Sequence, residues 1–187
     1  MNMLLYLHGF NSSPQSLKAR STQDFLQRFF PQYSCCTPQL PFSPKKSIEL
    51  IEQQLLRCER PLIIGSSLGG YYANYLAEKH SCKAVLVNPA VNPAQLLVDY
   101  LGPQCNPYTN ENYTLTPEHM VELQALVVPE MTLPKNRLLL VETHDETLDF
   151  AEATSYYRRS QCIIEHGGDH SFTKFSDWLP TMAAFLA

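Results

Sequence analysis

Leu62-Ile63-Ile64-Gly65-Ser66-Ser67-Leu68-Gly69-Gly70-Tyr71 is the stretch that decides how this chain folds. It opens with a short apolar run of the kind that forms a buried strand. A Gly-x-Ser-x-Gly pattern follows at once (Gly65, Ser67, Gly69), and then a segment of helical character from about Leu68 to His80. A serine at a sharp strand-to-helix turn needs a strained backbone and small neighbours, and it is held above the edge of a sheet. The helix start behind it offers free N–H groups and positive potential. Ser67 therefore reads as a nucleophile, and Ser66, one register off, as structural.

Outward from this turn, the chain alternates short apolar runs with longer helical stretches, the pattern of a parallel sheet covered by helices. The strands are expected at Met3 to Leu7, Tyr33 to Thr37, Leu62 to Ile64, Ala84 to Val87, Leu138 to Val141 and Cys162 to Glu165. A first helix is expected to start at Ser13-Pro14 and to present Leu17, Phe25, Leu26 and Phe29 on one face, with Pro31 ending it. A second, bearing Ile48, Ile51, Leu55 and Leu56, is read as capped by Ser47. Further helices are expected at Glu146 to Arg158 and at Phe172 to Leu186, the latter bent or restarted at Pro180. The segment 92–133 is different. It is rich in proline, and only two short helical pieces are expected in it, at Ala94 to Tyr100 and Pro117 to Val127. Long connections of this kind are usually functional, and the segment is read as a cap-like insertion over the sheet edge. The expected architecture is α/β: a three-layer α/β/α sandwich with a mostly parallel sheet of about six strands, forming one domain over 1–187.

Three further motifs complete the chemistry. Gly167-Gly168-Asp169-His170 follows the last strand, where a flexible loop can bring His170 to the serine as general base. An unperturbed imidazole titrates near 6.5, so activity is expected to rise with pH through that range. Val141-Glu142-Thr143-His144-Asp145-Glu146-Thr147-Leu148-Asp149 supplies the acid. Asp145, just beyond the strand end, is the first choice for orienting the imidazole. Spacing alone leaves Asp149 and Glu146 open. The order serine, acid, histidine is that of the α/β-hydrolase fold. His8-Gly9-Phe10 ends the first strand, and the backbone amides of Phe10 and Leu68 are assigned to an oxyanion hole. His8 itself is read as structural. Tyr71 and Tyr72, next to the nucleophile in sequence, are candidates for a substrate pocket. His8, His144, His166, Asp169 and His170 could be read as metal ligands, but the His-x-x-x-His stretch from His166 to His170 contains two glycines, a poor helix pair, and no His-Glu-x-x-His occurs. No metal and no cofactor is expected.

Composition narrows the partners. The 187 residues carry a formal net charge of -4, and only Lys45-Lys46 and Arg158-Arg159 are adjacent basic pairs, so no stripe invites a nucleic acid. Apolar runs are no longer than six residues, far short of a membrane span. The six cysteines show no Cys-x-x-Cys pair, and Met1 to Leu7 lacks the marks of a signal peptide, so a reduced, cytoplasmic protein is expected. The oligomeric state is not encoded in any of these features.

The motifs also resemble a known family. Leu5-Tyr6-Leu7-His8-Gly9-Phe10-Asn11-Ser12-Ser13-Pro14, Gly65 to Ala73, Val87-Asn88-Pro89-Ala90, Asp99-Tyr100-Leu101-Gly102, Asn106-Pro107-Tyr108-Thr109 and His170-Ser171-Phe172-Thr173 are similar, in order, to the bacterial YqiA-type esterases of the α/β-hydrolase superfamily. The resemblance implies a small carboxylesterase, with thioesterase activity in view, and a Ser67, Asp145, His170 triad. Where that family often has Gly-Asp-Glu-Val-Leu-Asp, this chain has His144-Asp145-Glu146-Thr147-Leu148-Asp149. The expected reaction is acyl transfer from a small ester or thioester through an acyl-serine. The competing readings are a binding scaffold that has lost turnover and an acyltransferase using an alcohol other than water.

Overall fold

The computed structural model describes residues 3–59 and 61–187; the first two residues of the stretch read for a leader lie outside these. Six strands form one sheet: β1 (Met3–Leu7), β2 (Ser34–Cys36), β3 (Pro61–Ser66), β4 (Lys83–Val87), and two later strands, Arg137–Glu142 and Gln161–Glu165. Every neighbouring pair in it is parallel. Between β4 and the fifth sheet strand the chain makes α4 (Pro93–Leu96), a 3-10 turn (Leu97–Tyr100), a hairpin of β5 (Gly102–Cys105) and β6 (Asn112–Leu115), and α5 (Pro117–Gln124). The last two sheet strands are therefore β7 (Arg137–Glu142) and β8 (Gln161–Glu165), and the order across the sheet is β2-β1-β3-β4-β7-β8. The remaining helices are α1 (Leu17–Phe29), α2 (Pro44–Leu55), α3 (Leu68–Lys79), α6 (Phe150–Tyr156) and α7 (Phe175–Leu186).

Alternation along the strands explains the layers, because successive side chains leave opposite faces. Leu5, Leu7, Ile63, Leu86, Leu139 and Val141 pack with Ile51 of α2, Leu76 of α3 and Ala153 of α6. Leu4, Tyr6, Ile64, Val85, Leu138 and Leu140 pack with Ala19 and Leu26 of α1 and with Phe175, Leu179 and Met182 of α7. A sheet buried on both faces reads as near-continuous apolar runs, and this is the three-layer α/β/α architecture expected. Leu115, Met120, Leu123 and Leu126 from the 92–133 segment join the first of these cores.

Several element boundaries differ from the sequence reading. Helix α1 starts at Leu17, not at Ser13-Pro14. Ser16 caps it by accepting the Ala19 amide, while Ser13 accepts the Gln15 amide in a preceding turn. Leu17 and Phe29, assigned to its apolar face, are 65% and 56% exposed. Helix α2 is capped by Ser43 with Pro44 at its first position, so Ser47 is interior, its hydroxyl donating to the Pro41 carbonyl. Helix α6 begins only at Phe150, after Asp149, whose carboxylate accepts the Ala151 amide. Helix α7 runs unbroken through Pro180 and starts at Phe175. The β5–β6 hairpin was not anticipated at all. Its strands are four residues each, and Gly102 (φ 110°) and Pro103 at its start read as loop.

Candidate active site

The sheet order reverses between β1 and β3, and the carboxyl ends of strands flanking such a switch point form the natural crevice of an open α/β sheet. In the β1–β3 register Leu7 lies opposite Gly65, which sets His8-Gly9-Phe10 beside Ser66-Ser67. Ser67 is the residue between β3 and α3, with φ 55° and ψ -122°. That backbone is strained for a non-glycine residue and persists only where the surroundings enforce it. The glycines show how. A Cβ on Gly65 would stand 2.2 Å from the Gly69 carbonyl oxygen, and one on Gly69 would stand 2.1 Å from that of Leu7. One on Gly9 would sit 3.1 Å from the Ser67 Cβ. The turn closes tightly because these positions have no side chains.

His170 meets Ser67 from the loop after β8, with its Nε2 3.1 Å from the Ser67 Oγ. Its Nδ1 lies 2.8 Å from Asp145 Oδ2 and 3.0 Å from Oδ1. Asp145 is itself anchored, since Oδ1 accepts the amides of Thr147 and Leu148, each at 2.8 Å. Burial alone would raise its pKa. The hydrogen bond and charge of His170 and the two amides outweigh burial and hold the carboxyl below its ordinary value. The two other acids left open by spacing do different work. Asp149 caps α6, and Glu146 accepts the His170 amide at 3.0 Å. Among the described residues the amides of Phe10 and Leu68 have no acceptor, and both belong to segments that touch Ser67.

Two residues that sequence reasoning did not assign fix the histidine loop. Asn88, at φ 39°, donates to the carbonyls of Asp169 and His170 at 3.1 and 3.5 Å and accepts the Glu142 amide at 2.9 Å. Glu142, at the end of β7 and 1% exposed, accepts the Asp169 amide at 2.8 Å. Burial raises its pKa, opposed by that amide. A Cβ on Gly168 would stand 2.1 Å from the Glu142 carboxyl carbon, so the close approach of loop and acid requires that glycine. Part of the signal is in the sequence: Val87-Asn88-Pro89-Ala90 is one of the stretches that carry the family resemblance, and Glu142 is one of four crowded carboxylates.

The remaining candidates separate. His8 is 3% exposed, accepts the Leu40 amide at Nε2 (3.1 Å) and donates from Nδ1 to the Gly9 carbonyl (2.9 Å). Burial lowers its pKa, which suits a neutral structural imidazole. Tyr72 lines a small cavity with Phe10 and Leu68. Tyr71 turns into the core, where its hydroxyl donates to the Leu123 carbonyl at 2.7 Å, and it lines neither cavity at the site. Ser67 and His170 open instead onto a cleft of about 400 Å³ bordered by Phe10, Ser12, Lys18 and Tyr108. Among the described residues no group of three His, Cys, Asp or Glu side chains is gathered as metal ligands, and no helix is long and apolar enough to cross a membrane.

The site also receives support from the 92–133 segment. Tyr113 of β6 donates to Asn11 Oδ1 (2.7 Å), Asn106 donates to the Ser12 carbonyl (3.0 Å), and the rings of Tyr100 and Phe10 meet edge to face. The loop bearing the Phe10 amide is thus pinned from both ends of the hairpin.

Comparison with known proteins agrees with this architecture. The model of a family described as "Uncharacterised protein family (UPF0227)" matches residues 3–187. The UPF0227 protein YcfP of Salmonella paratyphi A is 26% identical over 190 residues, covering 98% of each chain. A UPF0227 protein of Vibrio atlanticus is 27% identical over 195 residues, again covering 98% of both. Among solved structures, the alpha/beta hydrolase domain-containing protein 10 from mouse superposes with a TM-score of 0.73 at 14% identity, covering 97% of this chain and 88% of its own. Est1E from Butyrivibrio proteoclasticus gives 0.72 at 10% identity, covering 98% and 86%. At these identities the likeness is one of fold, and the fold is that of the α/β-hydrolases.

Proposed function

The chain belongs to the UPF0227 family, the YcfP/YqiA-type proteins of α/β-hydrolase fold, and we propose that it is a serine esterase acting through Ser67, His170 and Asp145. The observation that carries this reading is the continuous hydrogen-bonded line from Ser67 Oγ through both nitrogens of His170 to Asp145. The esterase domain of a Rhodothermus marinus protein, which shares the fold, is named as an esterase and lends this reading weight.

The chemistry follows from the atoms in place. Ser67 Oγ attacks the carbonyl carbon of a small ester or thioester while Nε2 of His170 takes the hydroxyl proton. Asp145, kept ionised by its amides, stabilises the imidazolium and fixes which nitrogen faces the serine. The oxyanion is received by the amides of Phe10 and Leu68, and each such donor typically supplies about 3–4 kcal/mol to the transition state. The imidazolium returns its proton to the leaving alcohol or thiol. Water, deprotonated by the same nitrogen, then releases the acid from Ser67. The 92–133 segment serves as a cap of the one domain and holds the Phe10 loop in register.

The test is covalent labelling. Wild-type protein treated with a fluorophosphonate should gain one adduct by intact mass, mapped to Ser67, and Ser67→Ala and heat-denatured protein should gain none. Labelling with turnover of short-chain acyl esters supports the esterase. Labelling with turnover only when an alcohol acceptor is supplied supports an acyltransferase. An unlabelled, folded wild type would make the protein a binding scaffold instead.

A further inference from the structure

Lys18 is placed where two physical effects oppose a cation. It lies in the first turn of α1, a helix with no acidic residue there, and the positive end of a helix disfavours a lysine. Its side chain is half-buried, and the loss of hydration lowers its pKa, countered by the fields of Asp169, Glu142 and Asp145. None of those carboxylates pairs with it: among the described residues no ion pair involves Lys18, and the one hydrogen bond of its ammonium goes to the Ser171 carbonyl at 2.7 Å. The carboxylates have other partners. Asp145 binds His170 and two amides, Glu142 binds the Asp169 amide, and Asp169 accepts the Thr173 hydroxyl. An ammonium has three donors, so two remain for a ligand. Lys18 borders the same cleft as Ser67 and His170.

The rest of that cleft is graded. Phe10, Leu17 and Tyr108 supply apolar wall, and Ser12, Ser171 and Thr173 supply hydroxyl-bearing side chains. Its volume of about 400 Å³ is at the small end of ligand sites. We infer that this cleft selects esters bearing an anionic group, which Lys18 binds while the apolar wall packs the short chain between that group and the scissile carbonyl. The inference rests on the esterase reading for its chemistry, but binding of the anion by Lys18 stands apart from whether Ser67 turns over. Carboxylate and phosphate are the two sources of such a charge, and both would use the same ammonium.

The experiment compares 4-nitrophenyl esters of valerate and of singly ionised glutarate, which share a chain and differ in charge. A charge-assisted hydrogen bond of ordinary strength predicts that wild type favours the anionic ester in kcat/KM by about tenfold. In Lys18→Met the ratio of the two should collapse towards one, and in Lys18→Arg much of it should return. Inhibition of valerate-ester turnover by glutarate and by inorganic phosphate, run in parallel, tells which anion the cleft prefers. A wild type without preference, or a Lys18→Met protein with the same ratio, overturns the inference and leaves Lys18 as a latch on Ser171. Failure of the esterase reading is seen separately, through binding of monomethyl glutarate and methyl valerate to Ser67→Ala by NMR titration. Tighter binding of the anion, lost on adding Lys18→Met, upholds the cleft reading even without turnover, and equal binding overturns it.

Discussion

At the scale of single residues, the proposed mechanism rests on a carboxylate whose surroundings outweigh its burial. Asp145 receives two amides and the His170 ring, and these hold it ionised. Asp145→Asn should preserve the fold but favour the wrong imidazole tautomer, and kcat should fall by about 10³–10⁴-fold. Single-turnover acylation by a chromogenic ester would measure this. A second readout is stability. An acid whose folded pKa is lowered stabilises the native state above its unfolded pKa, and that contribution is lost as pH falls through the folded value. The melting temperature of wild type should therefore exceed that of Asp145→Asn at neutral pH, and the gap should close on acidification. Much at this scale was legible. Ser67, His170 and a short choice of acids (Asp145 first, then Asp149 and Glu146) stand out as candidates because the strand-to-helix turn and the loop ends are encoded locally, in glycines and short apolar runs, and the structure brings Ser67, His170 and Asp145 together. Asn88, Glu142 and Lys18 do not, because their partners lie between 27 and 153 residues away along the chain.

At the scale of elements, strands were easier to place than helix ends. A strand buried on both faces leaves a dense apolar run such as Leu138 to Val141, whereas a cap depends on which of several serines bonds an amide. Ser13 and Ser16 both precede α1, and Ser43 and Ser47 both bracket the start of α2; only tertiary packing selects between them. The hairpin β5–β6 was hidden for another reason. It has a proline and too few residues for a period-2 pattern, and it is held by contacts to the Phe10 loop rather than by its own sequence. Those contacts give it a measurable role. Tyr113→Phe removes the hydrogen bond to Asn11 and leaves the ring stacked on Phe42 at 4.5 Å. A hydrogen bond is typically worth about 1 kcal/mol net. The variant should keep its circular dichroism spectrum and melting temperature within about 4 °C, on the usual conversion of such an energy. Fluorophosphonate labelling should slow several-fold, because the Phe10 amide is no longer held in register. Labelling at the wild-type rate would show that the hairpin does not position the oxyanion site.

At the scale of the whole molecule, a buried cation ties the sheet to the helix that follows Ser67. Arg137, at the start of β7, is fully buried and reaches α3, where it donates to the Asn74 side chain and carbonyl and to Glu78, and it also donates to the Leu133 carbonyl. Burial would raise the Glu78 pKa, but Thr132 and Arg137 outweigh it and hold the carboxyl low. This is a structural network, since Glu78 stands roughly 16 Å along α3 from Ser67 at 1.5 Å per residue. Glu78→Gln leaves the guanidinium without its counter-charge in the interior, and breaking such a pair costs about 3 kcal/mol, the lower end because Glu78 keeps some contact with water. For a chain of this length the melting temperature should drop by roughly 6–12 °C. As the carboxyl is lowered in the folded state, the difference from wild type should be full at neutral pH and vanish as pH falls through its folded pKa. The double variant Glu78→Met with Arg137→Met should lose less than Glu78→Gln alone, since both charges are then gone, though Asn74 loses its donor. Both proteins should label with fluorophosphonate at the wild-type rate well below their melting temperatures. A stability loss with labelling intact would separate the frame that joins α3 to β7 from the chemistry at the opposite end of α3. A labelling loss that tracks the melting temperature would mean that the strained backbone of Ser67 is held by the whole sheet and not by the glycines around it alone.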